Sequence, residues 1–165
     1  MVRDVKDSLT IMIVVRKANE KDIDQLAILF DNYRVFYKKD TDIEGARKFL
    51  LERIKNNESE ILVAESDRDE MVGFVQLYPV FSSTRMKRLW LLNDLFVKPE
   101  FRSKGISVAL INECKEICRQ SGSCGMILET AKDNAIGNSL YLKTGFLPDS
   151  DHNYYEWETN NIATP

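Results

Sequence analysis

A chain of 165 residues, 44% hydrophobic and 30% charged, fits one domain able to bury a core, and it excludes a disordered or membrane-embedded composition. Its net charge of −3 excludes nucleic-acid binding by bulk electrostatics and mildly favours a cationic substrate. Cys114, Cys118 and Cys124 make an odd set without a CxxC pair, which argues against a disulfide framework or a zinc site and for a reducing cytoplasm.

Taken in order, the apolar stretch Leu9 to Val15 is too short to span a bilayer and has no signal-peptide cleavage pattern. Ile11 to Arg16 reads as the first strand. Met12 lies inside it, so the sequence leaves open whether the residues before it belong to the native product. Asn19 followed by Asp22 forms a capping-box pattern, and Ile23, Leu26, Ala27, Phe30, Tyr33 and Tyr37 recur at helical spacing, predicting an amphipathic helix to about Tyr37. Its aromatic, basic end carries Tyr33, Phe36 and Tyr37, candidates either for core packing or for lining an acceptor pocket. A second helix places Ile43, Ala46, Phe49, Leu50 and Ile54 on one face.

Ile61 to Glu65 and Met71 to Tyr78 read as a hairpin joined by the polar turn Ser66 to Glu70. Gly73 marks a bulge or a close backbone approach, and Pro79 is expected to end the second strand. A polar basic link over 82–88 returns the chain antiparallel into Leu89 to Val97, a strand apolar on both faces apart from Asn93 and Asp94. Alternation points those two side chains to opposite faces.

After Lys98-Pro99 the segment Arg102, Ser103, Lys104, Gly105, Ile106 and Ser107 sets two cations and a glycine against a helix start. Free backbone N–H groups and the positive helix end favour a phosphate there. The helix that follows places Ile106, Ala109, Leu110, Cys114, Ile117 and Cys118 on one stripe and stops at Ser121-Gly122. Met126 to Thr130 is read as a buried strand. Asn134, Asn138 and Tyr141 then share one helical face, Gly145 closes that helix, and Tyr154 to Glu158 is read as a final strand. His152, alone in a polar turn, is read as a surface residue.

The segment RSKGIS resembles the acetyl-CoA motif Q/R-x-x-G-x-G/A of the GCN5-related N-acetyltransferase (GNAT) superfamily through Arg102, Gly105 and Ser107, with serine where the family has glycine or alanine. NAIGNSLYLKTGF is similar to its second motif through Asn134, Leu140, Tyr141, Lys143, Gly145 and Phe146, with Gly137 in place of alanine. YRVFY and WLLNDLFV resemble the small histone and polyamine acetyltransferase branch.

The resemblance implies an α/β fold, a single domain with a twisted, mixed, mostly antiparallel sheet and helices on both faces. It also implies acetyl transfer from acetyl-CoA to a primary amine of a small molecule, polyamine or protein, without metal, nucleic acid or membrane, and family habit together with the apolar C-terminal strand suggests a homodimer. Leu95, Phe96 and Val97 then meet the pantetheine arm, the 102–107 loop meets the pyrophosphate, and Asn134 and Asn138 join the cofactor side. Tyr141 is the general acid, and Tyr33, Phe36, Tyr37, Asn93 and Asp94 lie on the acceptor side. The strand lacks the glutamate that lysine-directed members carry, so direct and water-relayed deprotonation stay open. A second reading is a weak or regulatory acyl-CoA-binding module, which Ser107 and the missing glutamate motivate.

Overall fold

Strand β1 (Ile13–Lys17) and helix α1 (Ile23–Phe36) are joined through a turn whose chemistry is local. The Asn19 side chain accepts from the Lys21 N–H, and Asp22 accepts from the Asn19 N–H at 2.8 Å. That is the expected capping box, although it opens a short 3₁₀ turn before the α-helix. Arg16 binds both Asp22 oxygens at 2.8 Å and Glu65 at 2.7 Å, tying β1, the cap and β2 (Glu60–Ser66) together.

The computed structural model describes residues 12–159, which fall into two compact units, one ending at Ala131 and one starting at Lys132. The expected strand start at Ile11 lies outside the described residues. The first unit contains β1, α1, α2 (Ile43–Lys55), β2, β3 (Met71–Ser82), β4 (Lys87–Val97), α3 (Ile106–Gln120) and β5 (Met126–Ile127). The second contains α4 (Ala135–Lys143).

The five strands run in sequential order, antiparallel from β1 to β4 and parallel between β4 and β5. On one face α1 and α2 bury Leu26, Leu29, Phe30, Ala46 and Leu50 against Ile61, Val63, Phe74 and Phe96. Each such fully buried large side chain contributes roughly 1.5–3 kcal/mol. Helix α3 packs on β1 to β4 from the opposite face. The fold class is the expected one: α/β, a mixed sheet with helices on both faces.

Several expected boundaries are corrected. Pro79 does not end β3, which continues to Ser82, because β2 pairs with β3 only as far as Leu77 and beyond it a missing N–H can be tolerated at an edge. β4 starts at Lys87 rather than Leu89 and so takes up part of the basic link. On α3, Ala109 is exposed and Ile111 is buried, so the buried stripe runs through Ile106, Leu110, Ile111 and Cys114. β5 spans only two residues instead of reaching Thr130, and Ile127 is 41% exposed rather than buried.

Tyr154 to Glu158 forms no strand. Its aromatic residues carry β-propensity, but no strand occurs among the described residues of the second unit, and Tyr155 is 91% exposed. The homodimer expectation loses the strand it leaned on. His152 is exposed, as expected, and contacts Asp149. No helix among the described residues is long and apolar enough to cross a membrane.

The connection between α1 and α2 hangs on one buried carboxylate. Asp31 accepts from the Asp42 N–H at 2.8 Å, the Thr41 hydroxyl at 2.5 Å and Arg34 at 3.2 Å. Burial pulls its pKa up, but those three donors outweigh it and hold the carboxyl below the usual range. Asp31→Asn should cost about 2–3 kcal/mol near neutral pH, the worth of hydrogen bonds to a charged group. Because the folded pKa is depressed, this stabilisation is present above the unfolded carboxyl pKa of about 3.9 and is lost as pH falls through the folded value. Denaturant midpoints of wild type and variant should therefore differ at neutral pH and converge in acid.

Candidate functional site

The site begins with the pairing of β4. Its inner edge is laddered to β3 along the whole strand, whereas β5 reaches only Trp90 and Leu91. From Leu92 to Val97 the outer edge therefore has no strand beside it among the described residues. The β3 ladder also shifts register between Gln76 and Leu77, where Asn93 is the extra residue on β4. Such a bulge bends a strand and re-aims its side chains. Asn93 is exposed and Asp94 is 5% exposed, consistent with opposite faces.

Close approach of β3 holds this edge in place. A Cβ on Gly73 would lie 2.9 Å from the Phe96 carbonyl oxygen, so only glycine fits there, and a second register shift stands beside it. Both sequence readings of Gly73, bulge and close approach, describe the same place.

Beyond β4 the chain makes a 3₁₀ turn through Pro99–Phe101 and enters the expected loop. Ser103 at φ 59° and Gly105 at φ 80° are both left-handed, and α3 starts directly afterwards. Among the described residues the backbone N–H groups of Ser103 to Val108 find no acceptor. Nothing lies within 4 Å of a Cβ placed on Gly105. A concave run of unfilled donors at a helix start fits a pyrophosphate, and Ser107 contributes its N–H as glycine or alanine would.

Arg102 is placed differently from a simple phosphate cation. Its Nε donates to the Val97 carbonyl at 3.0 Å, and its guanidinium stands 5.7 Å from the Phe36 and Phe96 ring centroids. It thus fastens the loop to β4 while keeping its charge at the loop. Lys104 reaches back to the Glu100 carbonyl at 3.1 Å.

On the other side of β4 the end of α1 supplies the aromatic residues. The Tyr33 ring packs against Tyr37, Phe74 and Phe96 with centroids 5.0, 5.9 and 6.4 Å away. Its hydroxyl hydrogen-bonds Asp94. Tyr33 and Tyr37 also line a cleft of about 480 Å³ between α1 and α2, with Phe30, Phe49, Arg34 and Lys39. The structure thus brings Tyr33, Tyr37, Asp94, Phe96 and Arg102 together, with Phe36 beneath the Arg102 guanidinium. Burial pushes the Asp94 carboxyl above the usual range, against the Asn93 amide at 3.2 Å and the Tyr33 hydroxyl.

In the second unit Asn134 caps α4, its Oδ1 accepting from the Gly137 N–H at 3.0 Å. Asn138 donates to the Asn134 carbonyl at 2.8 Å. Both therefore shape the helix start. Tyr141 is partly buried and meets Phe146 edge to face with centroids 5.8 Å apart.

Gln76 and Tyr78 escaped the sequence reading. The signal was a glutamine inside the apolar run MVGFVQLY, a strand buried on both faces that leaves no room for a casual amide. Gln76 is fully buried and pairs with Asp94 across the ladder. No cluster of three or more His, Cys, Asp or Glu that could hold a metal occurs among the described residues. Burial pushes the Cys114 thiol up to about 12, which leaves it inert.

The sequence profile of the acetyltransferase (GNAT) family matches residues 26–146. An uncharacterized N-acetyltransferase of Bacillus subtilis (strain 168) is 42% identical over 141 residues, covering 86% of this chain and 94% of its own length. A probable acetyltransferase of Haemophilus influenzae is 32% identical, covering 71% and 80%. The crystal structure of a probable acetyltransferase superposes with a TM-score of 0.84 at 36% identity, covering 88% of this chain and 97% of that one.

Gly105→Ala should cost about 1–2 kcal/mol through its left-handed backbone alone, since the added carbon meets open space. A lowered denaturant midpoint measures it.

Proposed function

The chain belongs to the acetyltransferase (GNAT) family and is an acetyl-CoA-dependent N-acetyltransferase, and from that premise we propose how its residues divide the work and what they act on. The acceptor is a primary amine, small or presented by a peptide, attacking acetyl-CoA directly in a ternary complex. The observation that carries this reading is the outer edge of β4 from Leu92 to Val97, which has no strand beside it among the described residues and is flanked by the donor-rich loop, a buried carboxylate and an aromatic cleft.

Acetyl-CoA supplies an activated thioester. The Ser103 to Val108 amides hold its pyrophosphate, with Arg102 adding charge. The open backbone of Leu95 to Val97 aligns the pantetheine arm as one more strand would be aligned. A β4 N–H near Phe96 or Val97 faces the oxygen on which negative charge develops. Tyr141, a phenol whose O–H can donate, protonates the departing thiolate. The acceptor enters through the cleft lined by Tyr33 and Tyr37.

A CoA-release screen over polyamines, amino acids, aminoglycosides and basic peptides, with acetyl-CoA binding measured in parallel, tests the reading. Binding without turnover on any amine contradicts it.

Tyr141→Phe keeps the ring against Phe146 and removes the proton. Turnover with the best amine should fall about 10²-fold or more while acetyl-CoA affinity barely changes. If the hydroxyl only stabilises α4, the variant instead loses about 1 kcal/mol of stability and keeps its turnover. Single-turnover kinetics guards against a slow release step hiding the effect.

A further inference from the structure

The cleft between α1 and α2 has a volume of about 480 Å³, within the range of small-molecule sites. Four aromatic rings line it: Phe30, Tyr33 and Tyr37 from α1 and its end, and Phe49 from α2. Phe30 and Phe49 stack with centroids 5.7 Å apart and planes 15° from parallel, and Tyr37 meets Tyr33 edge to face at 5.0 Å. Flat walls of this kind take a flat apolar guest.

Three charged side chains join the rings in that lining: Arg34, Lys39 and Asp42. Arg34 gives an N–H to the buried Asp31 carboxylate at 3.2 Å, which fixes its direction and leaves the rest of its fork without a side-chain partner among the described residues. Lys39 has no ion pair among the described residues, and its backbone is held where α1 ends. Lys38 turns left-handed at φ 60°, its N–H reaches the Val35 carbonyl at 2.9 Å, and the Lys39 N–H reaches the Arg34 carbonyl at 3.1 Å. Asp42 is already engaged. Its Oδ1 accepts from the Gly45 N–H at 2.8 Å at the start of α2, where the positive helix end offsets its charge.

We propose that the acceptor carries, besides its primary amine, a carboxylate set apart from that amine by a flat apolar body, and that Lys39 and Arg34 hold the carboxylate. The proposal rests on the acetyl-transfer reading, with the cleft as the acceptor's entrance, and it names the acceptor's class. The acceptor is a zwitterion rather than a polycation.

Charge decides between those two classes. Two cations stand against one carboxylate in the lining, and that carboxylate is spent on a helix cap. The net charge of −3 belongs to the whole chain, whose surface charges are screened beyond about 8 Å at physiological ionic strength, so a guest inside the cleft responds to its lining. A polyamine would bring its second ammonium against Lys39 and Arg34, with only Asp42 to answer it. A carboxylate meets a guanidinium fork and an ammonium, both of which donate and neither of which accepts.

Orientation follows from Tyr33. Its ring lines the cleft and packs on Phe96 of β4 with centroids 6.4 Å apart, so it joins the cleft to the strand whose edge receives the thioester in the parent reading. The amine end of the guest points past Tyr33 toward β4, its body lies between the rings, and its carboxylate stays with the two cations.

The test uses three amines built on one ring that differ only opposite the aminomethyl group: p-aminomethylbenzoate, benzylamine and p-xylylenediamine. Wild-type kcat/KM should be about tenfold higher for the benzoate than for benzylamine and lowest for the diamine, with the difference in KM. Lys39→Glu changes an exposed position. It should keep the denaturant midpoint, invert the order of benzoate and diamine, and leave benzylamine nearly unchanged. Asp42→Asn, which keeps the helix cap, should lower the KM of the benzoate about threefold. p-Toluate, with the ring and the carboxylate but no amine, should compete with benzylamine in the wild type and stop competing in Lys39→Glu. The assignment is overturned if the diamine is a better wild-type substrate than the benzoate, if turnover is confined to amines without a carboxylate, or if Lys39→Glu leaves the order as it was. Each of those results leaves acetyl transfer standing, because an amine is still acetylated. A wild-type protein that binds acetyl-CoA but acetylates no amine removes the parent reading, and the acceptor class with it.

Discussion

Every backbone N–H and C=O in a sheet needs a partner, and β4 is built so that, among the described residues, no strand supplies one along a stretch of its edge. Its inner side is fully laddered to β3, while β5 stops after two residues. Much of the first unit follows from this. Gly73 lets β3 press close enough to hold β4 without help from the other side. Arg102 folds back to the Val97 carbonyl and satisfies one acceptor of the exposed edge. A strand end left open in this way is an aggregation hazard on most surfaces, and its six residues are short enough to limit that risk.

Fold class was readable because it rests on periodicity. The Ile23 to Tyr37 spacing, the capping box at Asn19 and the apolar run Leu89 to Val97 each report a single physical requirement, and each element formed. The errors arose where an element depends on a neighbour. Tyr154 to Glu158 has strand-like residues without a strand to join, and Pro79 is harmless because β2 has already ended. Ala109 and Ile111 exchange roles on α3 because the sheet, not the helix, decides which stripe is covered.

The site was readable in its glycines and less so in its polar residues. Gly105 and the loop around it announce themselves by composition, and the left-handed backbone there is what a glycine before a helix suggests. Arg102 was legible as a cation but not as the clamp between loop and strand, since that depends on Phe36 arriving from α1. Asp94 stood out as an acid in an apolar strand, but its pairing with Gln76 did not. Strand register makes that pair, and register cannot be read from either strand alone.

Asp31 gives the α1–α2 connection a consequence for recognition. Three donors converge on one buried carboxylate, so the connection between the two helices is fixed before the acceptor proposed for this cleft arrives. A guest entering the cleft then has little wall to order, and most of the conformational entropy lost on association is its own. Such a site discriminates by shape. Long flexible acceptors surrender more freedom on entering than compact ones, so between two amines making equal contacts the stiffer one binds more tightly.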